Sequence, residues 1–155
     1  MRFASNRVVE WSIMTLVVLV LIGVFGRQIQ IVQGQAEGAV IKSTLGALRT
    51  AFVLDHLKQQ SASQGANVVS GQRNPFLLLE SVPSNYGGEL ASAGLAPGTW
   101  AYDPVCICIG YAPVHSQFLE NKSADPTLWF RVNSPRPPFQ ITPTERYIWQ
   151  GEVLQ

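Results

Sequence analysis

Charge is scarce in this sequence. Asp, Glu, Lys and Arg make up 14% of the chain, against about 25% in an ordinary soluble protein. What charge there is nearly cancels, with eleven basic and ten acidic side chains giving a net +1. Residues 28–155 hold eight Lys/Arg and nine Asp/Glu, a net of −1. Such a balance builds no basic face, which argues against a nucleic-acid-binding domain. His56 and His115 are the only histidines; the first falls on an expected helix and the second in a loop. No Ser, Cys or carboxylate sits in a recognisable nucleophile context, so the sequence points away from an enzyme. Cys106 and Cys108 are the only cysteines. With His115 they leave a tetrahedral metal site one ligand short. No metal and no cofactor is expected. Internal repeats and low-complexity tracts are absent as well.

What the sequence has in abundance is one apolar run, Val8 to Phe25. At about 1.5 Å per residue its helix is roughly 27 Å long, close to the hydrocarbon thickness of a bilayer. Ser12 and Thr15 can bond back to the helix backbone, and Glu10 is the one charge. Residues 1–7 then form a short cytoplasmic flank, 8–26 a transmembrane helix, 27–60 an amphipathic extension and 61–155 a globular domain. The core of the run, Ile13 to Phe25, is also short enough for a signal peptide cleaved after Gly26. Val8, Val9 and the unbroken helical sequence past Arg27 favour an anchor instead. Arg2 and Arg7 on one side nearly balance Arg27 and Lys42 on the other, so positive charge sets orientation only weakly. The short N-terminal flank favours a cytoplasmic N-terminus.

Glu10 has two readings. A carboxylate in hydrocarbon costs several kcal/mol unless paired. It either snorkels to the headgroups or pairs with a cation on a neighbouring subunit.

Gln28 to Gln60 reads as helix. Ile41, Leu45, Leu48 and Phe52 make an apolar stripe at helical spacing, widened by Ala51, Val53, Leu54 and Leu57. Gly34 and Gly38 weaken the preceding turns by up to about 1 kcal/mol each against Ala. They mark either a flexible neck or a close-packing site. Ser61 to Gly65 ends the helix. A short helix follows at Pro75–Glu80, with Pro in its first turn, then turns at Tyr86–Glu89 and Pro97–Gly98. Strands are expected at Thr99–Tyr102, Val105–Tyr111 and Leu128–Val132, with an edge strand at Tyr147–Trp149. Pro135, Pro137 and Pro138 bar Ser134–Pro138 from a central strand. The fold class is α+β, one long helix on a small antiparallel sheet. Trp100, Tyr102, Trp129 and Phe130 are expected in the helix–sheet core.

In an extended strand Cys106 and Cys108 would lie on one face about 7 Å apart, too far for a relaxed disulfide. Two buried thiols acting as small hydrophobes are the favoured reading. A strained or intermolecular bridge is the alternative.

The whole plan resembles type IV pilins and type II secretion pseudopilins: a hydrophobic N-terminal helix with an early Glu, an amphipathic extension and a small sheet. Three local signals add to it. They are Asn74-Pro75-Phe76 with Leu78-Leu79; Pro83-x-Asn85-Tyr86-x-Gly88-Glu89; and Pro97-Gly98-x-Trp100-x-Tyr102-Asp103-Pro104. Together they are similar to a pattern of accessory proteins of MSHA-type pilus systems. There a Gly-x-Trp-Tyr-x-Asp stretch leads into a hairpin whose second strand is here Leu128-Trp129-Phe130-Arg131. The resemblance implies an inner-membrane, single-pass protein with a periplasmic domain and no enzymatic activity. Its partners would be other pilin-like subunits, inner-membrane assembly proteins and lipid. Glu10 would fix axial register between subunits. Two departures matter. Prepilin cleavage falls between Gly and Phe with Glu fifth in the mature chain, whereas here the corresponding bond joins Ser5 to Asn6. A minor or assembly subunit is therefore expected. The link from Ile109 to Thr127 is also longer than in the family, and the alternative function is an anchored periplasmic binding module using the 112–127 loop.

Overall fold

The computed structural model describes residues 3–62, 74–89, 94–120, 126–133 and 140–154, with the side chains of 3–6, 59 and 62 excepted. Among the described residues one α-helix, α1 (Phe3–Ala62), precedes seven strands: β1 (Tyr86–Glu89), β2 (Trp100–Asp103), β3 (Cys108–Tyr111), β4 (Leu128–Asn133), β5 (Gln140–Pro143), β6 (Ile148–Trp149) and β7 (Glu152–Val153). The class is α+β. Contacts divide the chain into two units, Met1–Ala36 and Glu37–Gln155.

The first unit carries the apolar stretch. An 18-residue window of α1 has mean hydropathy 2.4 and no buried residue. It is long and apolar enough to cross a membrane. Ser12 Oγ donates to the Val8 carbonyl at 2.8 Å and Thr15 Oγ1 to that of Trp11 at 2.9 Å. Both hydroxyls are thus satisfied within the helix.

In the second unit the rest of α1 lies against a five-stranded sheet ordered β1-β2-β3-β4-β5. Strands β2 to β5 are antiparallel neighbours, and β1 runs parallel to β2. That edge strand replaces the turn expected at Tyr86–Glu89. Two glycines give Tyr86-Gly87-Gly88-Glu89 little strand propensity. Pairing with β2 overrides it, with Gly88 at φ 95° and a register shift in the ladder. Strand β5 had no counterpart in the sequence reading. The expected helix at Pro75–Glu80 is a single 3₁₀ turn, Pro75–Leu78. The expected turn at Ser61–Gly65 and the proline segment 134–138 lie partly or wholly outside the described residues.

The core holds Ile41, Leu45, Leu48 and Phe52 of α1, Trp100 and Tyr102 of β2, Ile109 and Tyr111 of β3, Leu128 and Phe130 of β4, and Ile141 of β5. Burying each Leu or Ile of the helical stripe contributes about 2 kcal/mol. Trp129 is not among them. Successive strand side chains point to opposite faces, so Trp129 and Phe130 cannot both meet the helix. The Trp129 ring lies across Gly110 on the opposite face, half-buried, where a Cβ on Gly110 would stand 2.7 Å from its Cζ3.

Beyond β5, β6 and β7 form a two-stranded hairpin. Gln150 and Gly151 both have positive φ, 49° and 82°, which matches the twist of a tight two-residue turn. Trp149 of this hairpin lies against Gly38 of α1, where an added Cβ would be 2.8 Å from its Cδ1. Gly38 is therefore a close-packing site.

Candidate functional site

Three constructions on the second unit gather the residues singled out above. The first joins the three sequence signals. Asn74 Oδ1 caps the 3₁₀ turn by accepting from Phe76 N at 3.1 Å. Its Nδ2 donates to Tyr86 Oη at 2.5 Å and to Glu89 Oε1 at 3.1 Å. Asn85 Nδ2 donates to the Gly98 carbonyl at 2.7 Å, and Trp100 N donates to the Asn85 carbonyl at 2.9 Å. Phe76 stacks on Tyr86 at 4.3 Å and meets Trp100 at 6.1 Å, and Trp100 meets Tyr111 at 4.6 Å. Burial raises the Tyr86 hydroxyl's pKa above its ordinary value; the Asn74 hydrogen bond lowers it in part, and nearby Glu89 raises it again. Residues scattered over positions 74–104 thus close one interlocked corner around Trp100. Trp100 Nε1 is buried and meets no hydrogen-bond partner among the described residues.

The second construction is a clamp on the long link between β3 and β4. Glu37 on α1 is buried, and its Oε1 accepts from Tyr111 Oη at 3.0 Å and from Val114 N at 2.6 Å. Its Oε2 accepts from His115 N at 3.1 Å and lies 2.9 Å from His115 Nδ1. Charge-assisted bonds of this kind are about twice as strong as neutral ones. The carboxylate fastens the first residues of the link to the helix. Both of its oxygens are occupied by these contacts. Tyr111 is pushed well above the usual tyrosine range, first by burial and then by the Glu37 charge and hydrogen bond.

Farther along the link, Ser116–Phe118 forms a 3₁₀ turn. Leu119 is buried and bridges Trp149. Glu120 N donates to the Ile148 carbonyl at 3.0 Å, Gln150 N to that of Phe118 at 3.1 Å, and Gly151 N to Glu120 Oε1 at 2.8 Å. The link is therefore seated at both 113–115 and 118–120. Residues 121–125 of the candidate binding loop lie outside the described residues.

The third construction corrects the reading of the cysteines. Cys106 and Cys108 form a disulfide, with Cα atoms 5.2 Å apart. The expectation of 7 Å assumed a continuous strand from Val105. Strand β3 begins only at Cys108, and residues 104–107 are a turn opened by Asp103 Oδ1 accepting from Val105 N at 2.8 Å. Ile107 takes φ 56°, which folds the two cysteines toward each other.

Glu10 is exposed on α1, in the first unit, and makes no ion pair among the described residues. No group of three or more His, Cys, Asp or Glu among the described residues is placed to hold a metal. Glu37 stands in no local motif, and the sequence pattern gives no sign of its clamp. Its partners lie 74 to 78 positions away, so no local pattern could have shown them. Comparison with family models, with curated proteins and with solved structures gives no match for this chain.

Proposed function

We propose that this protein is a non-enzymatic, membrane-anchored, pilin-like or pseudopilin-like component of a type IV pilus or type II secretion machinery, acting as a minor or assembly subunit. The observation that carries this reading is the pairing of an apolar helix, whose amphipathic continuation carries a small sheet, with the interlocked corner of Asn74, Phe76, Asn85, Tyr86, Glu89 and Trp100. These are the residues on which the resemblance rests, and they serve the fold rather than a reaction. In this role the helix anchors the chain in the inner membrane with its domain in the periplasm. Glu10 meets a cation of a neighbouring subunit and sets axial register.

The test is removal of the protein from its host, followed by assays of surface pili and of secretion. Complementation by the wild-type chain restores assembly. Glu10→Ala, present at wild-type level in the membrane, does not. Normal pili and normal secretion in the null strain would overturn the proposal. The mass of the membrane-extracted chain refines it: an intact N-terminus fits a permanently anchored assembly factor, and a start at Asn6 makes Glu10 the fifth residue of a filament subunit.

A further inference from the structure

The Cys106–Cys108 disulfide sits at the tip of the β2–β3 hairpin, and three observations coincide there. The first is access. Cys106 is half-buried beside Val105, which is 91% exposed, whereas Cys108 is 3% exposed. Cys106 is thus the more accessible half of the bridge and Cys108 the more buried half. The second is the backbone. One residue separates the cysteines, so the bridge closes a minimal loop and removes little entropy from the unfolded chain. That residue is Ile107, β-branched and at φ 56°, a region such residues rarely adopt. Opening the bridge loses little loop-closure stabilisation and frees a strained residue. The third is charge. Cys108 stands directly opposite Arg131 of β4, which puts their Cβ atoms about 5 Å apart. Arg131 is exposed and makes no ion pair among the described residues. On the other side Cys108 faces Asp103, whose Oδ1 is engaged by Val105 N. A cation at the paired position favours a thiolate, the Asp103 carboxylate opposes it in part, and a better leaving thiolate speeds exchange.

We propose that the Cys106–Cys108 disulfide is a thiol–disulfide exchange site that oxidises the exposed dithiol of another protein. A thiolate of the donor attacks the Cys106 sulfur. A donor–Cys106 bond forms as the Cys106–Cys108 bond breaks, and the electron pair leaves on Cys108, paired with Arg131 in the ladder. The donor's second thiolate then attacks the donor's first sulfur and releases Cys106. The donor gives up two electrons and two protons and becomes a disulfide, and Cys106 and Cys108 become two thiols.

The probe is dithiothreitol, added to the full chain in detergent at neutral pH without denaturant, with thiols counted by mass after alkylation over time. Two thiols appear together within minutes. Arg131→Gln slows their appearance at least threefold with an unchanged circular dichroism spectrum, and Arg131→Lys restores most of the rate. In single variants Cys106, left free by Cys108→Ser, alkylates at least tenfold faster than Cys108, left free by Cys106→Ser. A disulfide that opens only in denaturant, a rate indifferent to Arg131→Gln, or the reverse order of alkylation would each overturn the proposal.

Discussion

The indole of Trp149 lies against the bare backbone of Gly38, so close that a Cβ there would stand 2.8 Å from Cδ1. This contact seats the β6–β7 hairpin on α1 and excludes a larger residue at position 38. Gly38→Ala sets two effects in opposition. Helix propensity favours Ala by up to about 1 kcal/mol. Overpacking a buried tryptophan costs about 1–3 kcal/mol, because Trp149 is 4% exposed and in the core. The expected outcome is net destabilisation. Gly46, on the same helix, has nothing within 4 Å of its Cβ position. Gly46→Ala is expected to stabilise by about 0.5–1 kcal/mol. Thermal unfolding of both variants followed by circular dichroism checks the contrast; equal effects at the two positions would contradict the packing role of Gly38.

Glu37 holds Tyr111, Val114 and His115 through one carboxylate. Glu37→Ala leaves two backbone N–H groups and the Tyr111 hydroxyl without their acceptor, at a cost of about 3 kcal/mol. Tyr111→Phe removes one bond from four and is expected to cost about 1 kcal/mol. Hydrogen exchange locates the effect: the amides of Val114 and His115 lose protection in Glu37→Ala and keep it in Tyr111→Phe. Unchanged protection in Glu37→Ala would exclude the clamp.

Alkaline pH tests the environment of Tyr111. An unfolded tyrosine loses its proton near pH 10, whereas burial beside Glu37 holds this one protonated well above that. The folded state therefore binds more protons than the unfolded state once pH exceeds about 10, and stability falls as pH rises. Below pH 10 both states keep the proton and the contribution is constant. Tyr111→Phe is expected to flatten the alkaline decline, as read from denaturation midpoints at pH 9 and pH 11.

Adjacent aromatics on β4 are expected to differ sharply. Phe130 is fully buried against the helix, so Phe130→Ala costs about 3–5 kcal/mol. Trp129 lies half-buried over Gly110 on the other face. Trp129→Ala is expected to cost less than half as much, since less apolar area leaves water. Chemical denaturation of the two variants measures both, and similar losses would contradict the two-faced sheet.

The sequence by itself determined what local patterns encode. The apolar run, the helical stripe from Ile41 to Phe52 and the strands around Trp100 and Phe130 each carry their signal within a few residues. Period and composition were enough to read them and the α+β class. Tertiary structure alone decided what depends on distant partners. Gly87 and Gly88 became part of an edge strand because β2 supplied a ladder. Phe130 rather than Trp129 took the core face of β4 because that face packs on the helix, and Gly110 left room for the Trp129 ring on the other. Glu37 became a clamp because the chain returned to it after more than seventy residues. The cysteines bridged because the turn at 104–107, rather than a straight strand, set their separation. Alternation and helical spacing describe a chain one element at a time, and the energy of these features resides in contacts between elements.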